Sequence, residues 1–152
     1  MVEFLRQRPQ RAEELLRRHR EGRLELAGLF LDPTELMDRR AFEVALQPAL
    51  NLAREHGFEV STAMTVDVPG QGWALPDVLA TAGIPFLSVC PNAMVSKPLL
   101  VAPPFWWVGP GGGRVLVWQT DWRKGWYGAG HNLGFPRGFA AARENTLAYV
   151  RQ

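Results

Sequence analysis

The sequence predicts an α/β fold in which parallel strands alternate with helices, followed by a β-hairpin. Three observations carry this reading. Short apolar runs over residues 24–31, 59–67 and 85–90 have the length and the near-continuous apolar character of strands covered on both faces. Segments of helical period lie between them, with their own start and stop signals. After residue 91 the composition shifts to proline and glycine, and two strand-like runs flank a glycine-rich turn.

The elements follow in order. Residues 10–21 are expected to be helical, with Ala12, Leu15 and Leu16 on one side, arginines elsewhere and Gly22 as the stop. The first strand, 24–31, breaks at Asp32-Pro33-Thr34. Asp38 is placed to cap a helix over 39–56, in which Phe42, Leu46, Leu50 and Ala53 recur at helical spacing before Gly57. The second strand emerges into Pro69-Gly70. A short helix over 75–82 ends at Gly83 and leads to the third strand. Two βαβ units result, and their short connections place the three strands parallel and adjacent in sequence order. Residues 91–104 hold four prolines and read as a loop. Residues 105–108 and 114–119 read as the two arms of a hairpin around Gly109–Gly113. Residues 121–138, rich in Gly and Trp, read as a long loop, and 139–150 as a last helix.

A length of 152 residues fits one domain, 1–152, with no second domain. The composition, 47% hydrophobic and 21% charged, is that of a folded chain with a core of its own. Seven arginines fall within the first 23 residues, but Glu3, Glu13, Glu14 and Glu21 are interleaved with them and net charge is only +2. That mixture describes a solvated helix face, so no nucleic-acid partner is expected. The single cysteine, Cys90, rules out a disulfide framework and reads as a small buried hydrophobe. No apolar run reaches the roughly 20 residues of a membrane span. The N-terminus is charged from Glu3, unlike a signal peptide. The expectation is a cytoplasmic protein without a membrane partner.

In parallel βα folds, ligands meet the C-terminal ends of the strands. Those ends carry Asp32 and Glu35, then Asp67, then Asn92. Asp67 is the most pointed, because a carboxylate where a buried strand emerges must be paired, metal-bound or solvated. A turn-forming aspartate that accepts backbone N–H groups would occupy the same position.

The order of motifs resembles a known family. Gly22-Arg23-Leu24-Glu25, Thr65-Val66-Asp67-Val68-Pro69-Gly70 and Ala82-Gly83-Ile84 are similar to the G-R/K-x-E strand, the I-D-P-F-G-H loop and the A-G-F/I turn of the family 38 glycoside hydrolases, the α-mannosidases. Phe105-Trp106-Trp107-Val108-Gly109-Pro110 and Gly113–Trp118 resemble that family's F-x-W-x-G-x-D-G-S-R-V-L hairpin. The sequence departs from the pattern at Gly70-Gln71-Gly72, where the family has Phe-Gly-His, and it contains no His-x-Asp pair.

The resemblance implies a partial β/α barrel of the glycoside hydrolase/deacetylase type and a carbohydrate substrate. It implies retaining hydrolysis by two carboxylates about 5 Å apart, with Asp67 as both nucleophile and metal ligand. Asp121 is the choice for acid/base partner. The cofactor implied is zinc or another divalent metal in the complete protein. Of its usual ligands only Asp67 is present, so the chain alone is expected to be inactive and either to need missing barrel segments or to self-associate. Sugars stack their C–H faces on indole rings, which makes Trp122, Trp126 and Tyr127, with Asn92, the expected substrate contacts, whereas Phe105, Trp106 and Trp118 are expected in the core. His19, His56 and His131 read as surface residues. A non-catalytic carbohydrate-binding or structural remnant is the alternative. A polysaccharide deacetylase ranks below both, for want of its Asp-Asp pair and His-x-x-x-His.

Overall fold

The computed structural model describes residues 1–29, 32–34, 36–68, 70–91, 102–120 and 133–151. Two short N-terminal helices, α1 (Val2–Gln7) and α2 (Ala12–Arg20), are joined by a 3-10 turn at Pro9–Arg11. Strand β1 (Ala27–Gly28), helix α3 (Arg39–His56), strand β2 (Thr62–Val68), helix α4 (Leu75–Thr81) and strand β3 (Phe86–Pro91) form the two expected βαβ units. The hairpin β4 (Phe105–Val108) and β5 (Arg114–Gln119) follows, and α5 (Phe139–Val150) closes the described chain.

The strands form one open sheet in the order β1-β2-β3-β5-β4. The first four in that order are parallel, and β4 is antiparallel to β5. The expected parallel, sequential placement of β1, β2 and β3 is therefore observed. Among the described residues the sheet does not close into a barrel.

Helix α3 has the ends that its sequence specifies. The Asp38 side chain accepts the Ala41 N–H at 2.8 Å, and Gly57, at φ 74°, turns the chain out in the left-handed region. The helix runs through Pro48, which lacks the N–H for one internal bond. Its buried stripe of Phe42, Ala45, Leu46, Ala49 and Leu52 outweighs that loss. Phe42 and Leu46 join Leu75, Val78 and Leu79 of α4 over Ala63, Leu87, Val89, Val115 and Val117 of the sheet to form the main core. A smaller cluster of Leu5, Leu16, Leu26, Leu52 and Phe58 seats the N-terminal helices.

Two expectations are corrected here. The first strand is not eight residues long: among the described residues of 24–31 only Ala27 and Gly28 pair, with Thr62 and Ala63. Leu26 is buried in the smaller cluster, and Leu29 adopts φ 70°, which ends the extended run. Trp106 and Trp118 are not core residues: they are 54% and 55% exposed. Val115 and Val117, almost fully buried, fix which face of β5 meets the helices, and the alternation sends Trp118 the other way. Trp106, opposite Leu116, follows it, while Phe105 and Trp107 pack on the core side.

Candidate functional site

The site builds from the C-terminal end of β2. Val66 pairs with Cys90 and Val68 with Pro91, so the register slips at Asp67. Asp67 takes φ 63°, a left-handed conformation that Asp and Asn tolerate better than other side chains. The slip is a bulge that re-aims one residue at the strand's mouth, as bulges near functional sites do. Asp67 is exposed there.

Asp32 braces the same turn. Strand β1 pairs with β2 only as far as Ala63. Beyond that point the Asp32 carboxylate takes the place of a neighbouring strand, accepting the Val66 N–H at 3.1 Å. On the buried side, the Gln71 amide donates to Thr65 Oγ1 at 3.0 Å, and Thr65 is fully buried. The Gln71 carbonyl oxygen is buried and finds no partner among the described residues. Asp32, Thr65 and Gln71 thus support the residue that the sequence singled out. Asp32 was legible as a strand-end carboxylate. Gln71 was noted only as a departure from a motif, and the visible signal was a polar residue set between two glycines that leave it room.

Glu25 belongs to a different place. Its carboxylate accepts from the hydroxyls of Ser61 and Thr62, at the start of β2. Five residues of strand, roughly 16 Å, separate it from Asp67. His19 is a structural bridge and no loose surface side chain. Its Nδ1 lies 3.0 Å from the Leu24 carbonyl oxygen, and its Nε2 accepts the Glu59 N–H at 2.9 Å. Two surface hollows along α3, one lined by Leu50 and Arg54 and one by Met37 and Val44, include neither Asp67 nor Asp32 in their walls.

Asp121, Trp122, Trp126, Tyr127, Asn92 and His131 lie outside the described residues. Among the described residues no group of three His, Cys, Asp or Glu side chains could hold a metal ion. No described helix is long and apolar enough to cross a membrane.

The fold is shared with enzymes that act on sugars. An α-mannosidase from Enterococcus faecalis superposes with a TM-score of 0.63 at 17% identity, over 97% of this chain and 16% of that one. A family 38 glycosyl hydrolase from the same organism gives 0.52 at 16% identity, over 75% of this chain and 12% of that one. The 4-α-glucanotransferase of Thermococcus litoralis gives 0.56 at 21% identity, over 81% and 20%. The chain thus spans between 12% and 20% of the length of these three proteins. No protein-family profile matches it, and no curated protein sequence matches it significantly. What this likeness defines is the fold: an open α/β sheet, mostly parallel, with helices between its strands.

Proposed function

We propose that this chain is a glycosidase-type catalytic unit of the α-mannosidase kind, with Asp67 as nucleophile in a retaining hydrolysis. The observation that carries the reading is the placing of Asp67 on a bulge at the C-terminal mouth of a parallel strand, with Asp32 holding the preceding N–H. The shared fold supports it. The Asp67 carboxylate would attack the anomeric carbon as the bond to the leaving oxygen breaks, and a second carboxylate would protonate that oxygen. Asp121 is proposed for the second role on sequence grounds alone. Water would then release the sugar, and the same acid would act as base.

Asp67 would also be one ligand of a zinc or other divalent ion, which would supply positive charge to the sugar hydroxyls. The described residues do not form a metal centre by themselves, so further ligands would have to come from elsewhere. No step above depends on the metal.

The test is hydrolysis of an aryl α-mannoside by the complete gene product with added zinc, alongside a thermal melt. Asp67→Asn is expected to lower turnover by roughly 10³-fold or more while the melt still shows a cooperatively folded protein, since Asn keeps the shape and loses the nucleophile. Equal turnover in both proteins would remove Asp67 from the mechanism. Absence of turnover in the unmodified protein would leave the non-catalytic carbohydrate-binding reading.

A further inference from the structure

The helices α3 and α4 cover one face of the sheet, and on the other face several large apolar side chains of the described residues are exposed. The strand registers align Thr62, Phe86, Leu116 and Trp106 in one row across β2, β3, β5 and β4. Met64, Ser88 and Trp118 form the next row. Phe86 is 47% exposed and Met64 37%, and Trp106, Trp118 and Val108 are each more than half exposed. Strands in parallel sheets are ordinarily covered on both faces. A contiguous apolar surface of this kind marks an interface.

Charge identifies the occupant. At the β2 end of the first row, the Glu25 carboxylate sits on the Thr62 hydroxyl. At the β4 end, the Arg114 guanidinium lies 4.8 Å from the centre of the Trp106 ring. The face therefore runs from an acidic end to a basic end across an apolar middle, which makes it complementary to itself when rotated by half a turn.

We propose that two copies of this chain pack face to face through this surface, about a two-fold axis that runs along the strands between β3 and β5. That rotation exchanges β2 with β4 and β3 with β5. It sets Phe86 against Leu116 of the second copy, the small Ser88 against the bulky Trp118, and the Glu25 end against the Arg114 end. The sheets would stack about 10 Å apart, as aligned sheets do. Four strands at about 4.8 Å spacing and five residues at about 3.3 Å rise span roughly 19 by 17 Å. That footprint, about 320 Å², is smaller than the roughly 600–1,000 Å² per partner of stable complexes, so the pairing is a weak one. Each interface residue serves in both copies, as an isologous contact requires. The inference does not rest on the glycosidase reading.

The experiment is sedimentation velocity of the 152-residue protein over a wide concentration range, with circular dichroism to confirm folding. A discrete dimer that forms at the upper end of the concentration range and dissociates on dilution is expected. Arg114→Glu should raise its dissociation constant about ten-fold or more, and Glu25→Arg combined with Arg114→Glu should restore it. The restoring pair keeps the test meaningful if the single variant is partly unfolded. A monomer at all concentrations would overturn the proposal and mean that this chain's own residues or further polypeptide cover the face. Undefined aggregates, or a dimer that neither variant affects, would also overturn it.

Discussion

Asp77 Oδ1 accepts the N–H of Gly113 at 2.7 Å, joining helix α4 to the hairpin turn. Its other oxygen accepts the Gly111 N–H at 2.8 Å. The residue is only 6% exposed, so this buried charge is held by two charge-assisted bonds to backbone. Asp77→Ala should cost about 2–4 kcal/mol by urea denaturation. Gly113→Ala should be of similar weight, because its Cβ would stand 2.7 Å from the Asp77 Cα, a backbone atom with no freedom to yield. If Asp77→Ala proves neutral, the hairpin is held by its apolar side chains alone.

The backbone at Asp67 separates a conformational role from a chemical one. At φ 63° an alanine is strained by about 1–2 kcal/mol, whereas Gly, Asn and Asp are strained less. Asp67→Ala should therefore be less stable than Asp67→Gly by about 1 kcal/mol in the same denaturation experiment, since both variants lose the carboxylate and differ only in the strain of the turn. Equal stability of the alanine and glycine variants would show that the left-handed turn is not kept in solution.

His19 joins three segments through one ring. Because Nε2 accepts from the Glu59 N–H, the ring hydrogen belongs on Nδ1, where it faces the Leu24 carbonyl. The ring also lies edge-on to Phe58, with 5.4 Å between centroids. His19→Ala should cost about 1–3 kcal/mol, since a backbone donor and acceptor both lose their partner. A melting temperature equal to wild type would show that water replaces the ring at no cost.

The approach of Gly72 to Phe42 leaves no room for a side chain. A Cβ at position 72 would sit 2.7 Å from the Phe42 ring, which is fully buried. Gly72→Ala should destabilise by about 1–3 kcal/mol, and Phe42→Leu in the same chain should recover part of that loss. Strict additivity of the two changes would show that they do not touch.

What the sequence shows depends on whether the cause is local. The bounds of α3 and of the hairpin strands were readable to the residue, because Asp38, Gly57 and the glycine run set them by local backbone chemistry. The parallel order β1-β2-β3 followed from the helices between the strands. The shortening of β1 was not readable, because an apolar run does not show how many of its residues a neighbouring strand will pair with. The exposure of Trp106 and Trp118 was hidden for a similar reason. Alternation shows that two faces differ, but only the seating of Val115 and Val117 under α4 shows which face is inside. Helix α1 gave no periodic signal over its six residues. At the site, the position of Asp67 was legible as the end of a strand. Its left-handed turn and the Asp32 brace depend on a contact 34 residues away in sequence, which no local pattern encodes.

The division of the apolar interior into two clusters has a kinetic consequence. The N-terminal helices are seated on Leu52 and Phe58 and hold no place in the main core. They form a layer that can open while the sheet, α3 and α4 stay closed, a sub-global opening of low free energy. In native-state hydrogen exchange the amides of α2 should exchange well ahead of those of β2 and β3. His19→Ala should widen that gap by speeding α2 and leaving the central strands as they were.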